Sequence, residues 1–210
     1  MKTLFIAMTW TILASAGCGG EVAELDDEEM SDDPVPVISM REPFTFTSIE
    51  DMVVSSDLVI EGRVSGSVPG ELRGEGPDGL GGIQFAETTV VVERVLAGAA
   101  PGDSIIVESM GWTSVGRPIG FRDGSSHHIH TAGDRGVFHL VKTRRPDDRL
   151  VYRLTSSQGK FLYGPDGALR ATRAGDPLVL EVAALPAVEL ERRITSAAAA
   201  RQIGRRDPVY

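Results

Sequence analysis

Among the 210 residues there is one cysteine, Cys18, so no disulfide can form within the chain and stability has to come from burial. Aromatic residues are 6% of the total, thin for a stacking platform that holds single-stranded nucleic acid. Positive charge is also short. The formal net charge is -9, and the stretch from Glu21 to Asp33 alone holds eight acids and no base. Without that stretch and Lys2 the remainder is near neutral, which removes the electrostatic case for nucleic acid. There is no G-x-x-x-x-G-K-[ST], and no G-x-G-x-x-G between a strand and a helix, so no nucleotide loop is expected. A G-x-S-x-G elbow is missing too. Ser125 and Ser126 precede His127 in a loop, where serine and histidine are not set as nucleophile and base.

What is present is best taken from Ile49 to Ser67. Ser48 offers an N-cap, Glu50 and Asp51 acids for the first turn, and Met52 and Val53 apolar residues at helical spacing. From Asp57 the period changes to two. Leu58, Ile60 and Val64 share one side, and Glu61, Arg63 and Ser65 the other. This predicts a short helix running into a half-buried strand. Gly62 falls on the apolar side, where a missing side chain permits a bulge or a sharp coil.

The remaining elements follow in order. Pro69 to Gly82 is glycine-rich and predicts a loop. Gln84 to Leu96 predicts a long strand, buried on both sides or bulged around Val90, Val91 and Val92. Ser104 to Glu108 is the next strand, and Gly111 to Ala132 a long loop. Gly136 to Lys142 is a near-continuous apolar strand, expected to be central, with Leu150 to Thr155 as its hairpin partner. Arg144, Arg145 and Arg149 near this turn are expected to be solvated. Gln158 to Tyr163 and Ala168 to Ala171 flank a Gly-Pro-Asp-Gly turn and form a small extra hairpin. Pro177 to Leu185 fits strand or helix equally. From Pro186 a helix is predicted, with Leu190, Ile194, Ala197 and Ala198 on one stripe.

The N-terminal residues read as an address. Lys2 precedes an apolar run of about ten residues, Leu4 to Leu13, right for a signal-peptide core and too short to span a membrane. The small residues Ala14-Ser15-Ala16-Gly17 before Cys18 resemble the lipobox of bacterial lipoproteins. The resemblance implies cleavage of residues 1–17 and a lipid on Cys18. Ser15 stands where that family usually carries Leu, Val or Ile. Ala14-Ser15-Ala16 is also an A-x-A site for ordinary signal peptidase, which would give a secreted protein. The lipoprotein is favoured because the only cysteine sits at the expected place. Residues 18–45 are acidic and then proline-rich without periodicity. They predict a disordered tether, because they offer too little apolar surface to offset ordering entropy. A calcium loop in the acidic run would need a glycine and a ligand spacing that are absent. The folded domain is expected over residues 46–210.

Several short motifs within it carry a second resemblance. They are Asp57, Gly62 and Val64; Val92, Val95, Leu96 and Gly98; Gly133 and Gly136; and Gln158, Gly159 and Phe161. In this order they resemble exported bacterial modules related to the netrin and tissue-inhibitor-of-metalloproteinase (TIMP) domains. That likeness covers about Ile49 to Arg170. It implies an all-β chain built as an OB-like five-stranded barrel, to which the extra hairpin and a C-terminal helix are added. The inhibitors act through a cysteine at the start of the folded domain. Cys18 lies ahead of a long tether instead, so inhibitory chemistry is not carried over. In those modules the strand that here holds His139 is usually apolar and aromatic.

One cluster has the composition of a site. All four histidines, His127, His128, His130 and His139, lie in one window with Asp123 and Asp134. On an extended segment His128 and His130 would point the same way, as metal-binding pairs do. The alternative, which we favour, is a polar loop that is rich in histidine, with His139 held in the sheet by one hydrogen bond. A closed metal site needs three or four ligands and a supporting shell. The expectation is therefore an exported lipoprotein with a non-enzymatic binding or scaffolding domain and no cofactor or metal. It would be held to the membrane by its lipid, face the periplasm or exterior, bind an unidentified envelope protein or ligand, and not bind nucleic acid. Metal binding or metal-dependent catalysis in the region His127 to His139 is the competing reading.

Overall fold

The computed structural model describes residues 37–38, 45–74, 82–113, 120–121, 131–145, 147–170, 172–173 and 175–204. All lie in one compact unit, Pro34–Tyr210. Ser48 caps the first helix, α1 (Ile49–Ser55), and its Oγ accepts the Asp51 amide at 3.1 Å. Ile49, Met52 and Val53 form its buried face. Three residues on, the backbone is extended, and β2 (Leu58–Arg73) begins.

β2 is the strand around which the others are arranged. It runs antiparallel to β3 (Ile83–Gly98), which pairs antiparallel with β4 (Ser104–Thr113). β4 meets β7 (Leu150–Leu154) in parallel at Val107 and Tyr152. β7 forms a hairpin with β6 (Arg135–Arg144), and β6 returns to the other edge of β2 over Leu58–Arg63. The pairings thus run from β2 round to β2 again, so the seven-stranded sheet is ring-like in part. β8 (Lys160–Tyr163) adds to β6, and β9 (Leu169–Arg170) to β8 across a turn in which Gly167 takes φ 77°. Two short segments, β1 (Val37–Ile38) and β5 (Gly120–Phe121), pair in parallel. β1 falls inside the stretch expected to be an unstructured tether, where two β-branched residues follow the prolines.

Period two sorts the apolar residues into two clusters. Leu58, Ile60 and Val64 meet Val90, Ile105, Val107, Phe138, Leu140 and Tyr152 on the inner face of the circuit. Val59, Leu96, Val137 and Phe161 face the other way, beneath α1, α2 (Pro177–Ala183) and α3 (Ala187–Gly204). β6 feeds both clusters, which is why its sequence is apolar almost throughout. Each large side chain withdrawn from water here contributes about 1.5–3 kcal/mol. The expected stripe of α3 is the buried one, with Leu190 and Ile194 enclosed.

The curvature has a local cause. Gly62 stands opposite Val92 on one side and Gly136 on the other, and the β2–β3 register shifts between Glu61 and Gly62. A Cβ on Gly62 would lie 2.7 Å from the Val91 carbonyl oxygen and 2.8 Å from Val90 Cγ1. Around Val90–Val92 the strand is bulged rather than buried on both sides: Val90 is enclosed while Val91 is exposed.

Two expectations change. β2 does not end before Pro69 but continues to Arg73. Val64 still pairs with Gly133 and Asp134; beyond it, among the described residues, only β3 lies beside the strand, and a strand with a free edge tolerates proline. The ambiguous stretch after Asp176 is helix α2. The Asp176 carboxylate accepts the Val179 amide at 3.1 Å and Pro177 suits the first turn, so local capping decides it. No helix of the described residues is long and apolar enough to cross a membrane.

Candidate functional site

His127, His128, His130 and Asp123 lie outside the described residues. His139 lies in β6 on the helix side of the sheet, and its ring stands edge-on to Phe161, with centroids 5.7 Å apart. It is wholly buried. Among the described residues its ring nitrogens Nδ1 and Nε2 both lack a partner. The backbone holds it instead. Its amide donates to the Gly159 carbonyl at 2.8 Å, and its own carbonyl accepts the Thr155 amide at 2.9 Å. Burial pushes the ring's pKa down to about 4, against a smaller upward pull from the Gly159 backbone. His139 is therefore a neutral, apolar-packed ring at neutral pH. Among the described residues no three His, Cys, Asp or Glu side chains are gathered as ligands.

The larger polar assembly was not foreseen. Arg145 is not a solvated turn residue: its side chain is 4% exposed. It sits beside Glu108, whose side chain is not exposed at all. Three guanidinium groups converge on that carboxylate. Arg73 donates to both oxygens at 3.1 and 3.2 Å, Arg145 Nε to Oε1 at 2.8 Å, and Arg153 Nε to Oε2 at 3.0 Å. Arg145 also reaches Glu87 at 2.7 Å, and Glu87 takes a two-pronged contact from Arg149, both bonds 2.8 Å. Phe85 lies between two of these cations, with Arg73 Cζ 4.7 Å and Arg153 Cζ 5.5 Å from its ring centre.

Strand alternation builds this lattice. Val107 points inward, so Glu108 beside it points outward, and Tyr152 and Arg153 repeat the arrangement on the neighbouring strand. Burial alone would raise the Glu108 pKa, but the hydrogen bonds from Arg153 and Arg145 outweigh it and hold the carboxyl below its ordinary range. Arg149 above all holds Glu87 low as well. Both oxygens of Glu108 are occupied by donors. The group is a fixed anion and not a base with a lone pair to offer.

A second lattice ties the helices to the sheet. Glu61 binds Arg135 and, at 2.8 Å, Arg94, which also reaches Glu191 of α3. Arg193 of α3 bridges Glu50 of α1 at 2.7 Å and Glu181 of α2 at 2.8 Å. The groove along α1 and α3 is lined by Glu50, Glu189, Arg192 and Arg193, and these charges are paired with one another. Gln158 clamps the start of the domain. Its Oε1 accepts the Phe46 amide at 2.6 Å, and its Nε2 donates to the Phe46 carbonyl and to Asp176, each at 3.0 Å.

No protein-family model matches the chain, and no curated protein matches it either.

Two outcomes are expected. Glu108→Gln removes the anion that Arg73, Arg145 and Arg153 share and leaves buried Arg145 with Glu87 alone, and should lower unfolding stability in urea by up to about 3 kcal/mol. The double replacement Glu108→Met with Arg145→Met should lose clearly less, because no buried charge is then stranded. The second concerns acid. His139 titrates near 4 when folded and near ~6.5 when unfolded. Between these values the unfolded chain binds the proton and the folded chain does not, so stability falls as pH drops through that window, by about 3 kcal/mol at most. Denaturation series on His139→Leu should lack this part of the decline; an unchanged pH profile would show that His139 does not cause it.

Proposed function

We propose that the chain is an exported lipoprotein, anchored through Cys18, whose folded part is an OB-like module that binds or scaffolds another envelope component without catalysing a reaction. The observation that carries the module is the pairing circuit. Five strands, β2, β3, β4, β6 and β7, pair so that the first is met again by the fourth, and the third and fifth touch in parallel. An OB-type barrel needs this arrangement, and Gly62 supplies the coil in its first strand. The β8–β9 hairpin and α3 are additions to that plan.

The non-enzymatic reading is supported by how the ionisable groups are used. Glu61, Glu87 and Glu108 are each engaged by two or more arginines, and Glu87 and Glu108 are held below the ordinary carboxylate range by those hydrogen bonds. A sheet surface locked by ion pairs is a rigid platform, which suits a module that presents a fixed surface to a partner. Export rests on the signal-like run before Cys18.

Fractionation of cells making the full chain tests the anchor. The native protein should go with the membrane and Cys18→Ser should move to the soluble fraction or stay uncleaved. A native protein that is already soluble would favour cleavage after Ala16 and secretion. Crosslinking in intact cells should then capture an envelope component with the anchored protein.

A further inference from the structure

We draw no further inference here: the strongest candidate, the groove between α1 and α3 lined by Glu50, Glu189, Arg192 and Arg193, carries nothing because these charges are already paired with one another and nothing in the structure shows what covers it.

Discussion

Gly62 and Gly136 stand opposite each other where β2 meets β6, and neither position has room for a methyl group. A Cβ on Gly62 would strike the backbone of β3, and one on Gly136 the Phe161 carbonyl and the backbone of Leu162 in β8. The two glycines let β2 lie against β3, and β6 against β8, more closely than side chains would allow. β2 can therefore serve β3 on one edge and β6 on the other while the sheet coils on itself. Without that close approach the inner cluster would have no second wall, because Phe138 and Leu140 reach Leu58 and Ile60 only through the β2–β6 pairing.

Closing the sheet fixes where charge can go. One face of each strand is committed to the inner cluster. On the helix side, α1, α2 and α3 cover Val59, Val137 and Phe161. Outward on β3 and β4, beside exposed Val91 and Val95, Glu87 and Glu108 are matched with arginines from β2, β7 and the β6–β7 turn. Partner removal is costly in such a lattice, although the lattice as a whole adds little over an apolar surface of the same shape. Its physical consequence is that Glu87 and Glu108 are held in place as anions. Lys160 and His139 stand outside it. The first is 2% exposed, and the second is enclosed with both ring nitrogens lacking a partner among the described residues.

Much of the fold was legible because period two and capping are local. The Ser48 cap, the change of period at Asp57, the centrality of β6 and the stripe of α3 all follow from spacing. The length of β2 was not legible, since Pro69 and its neighbouring glycines signal a turn unless one knows that the strand has a free edge there. The candidate site was harder. Arg145 beside Pro146 in a polar turn looks solvated, and its burial depends on Glu87 and Glu108, both far away in sequence. Gln158 was visible as part of a motif, but its task of joining Phe46 to Asp176 spans the whole domain. Lys160 carried no local signal of burial, for an isolated lysine at the head of a strand is ordinarily exposed.

The account stands on the circuit that returns to β2, and cross-strand nuclear Overhauser contacts from Gly62 test it most directly. In the folded protein Gly62 should show contacts to both Val92 and Gly136, together with a contact between Val107 and Tyr152 where β4 and β7 touch. Contacts from Gly62 to Val92 alone, with none to Gly136, would mean an open β2–β3 hairpin and would contradict the account.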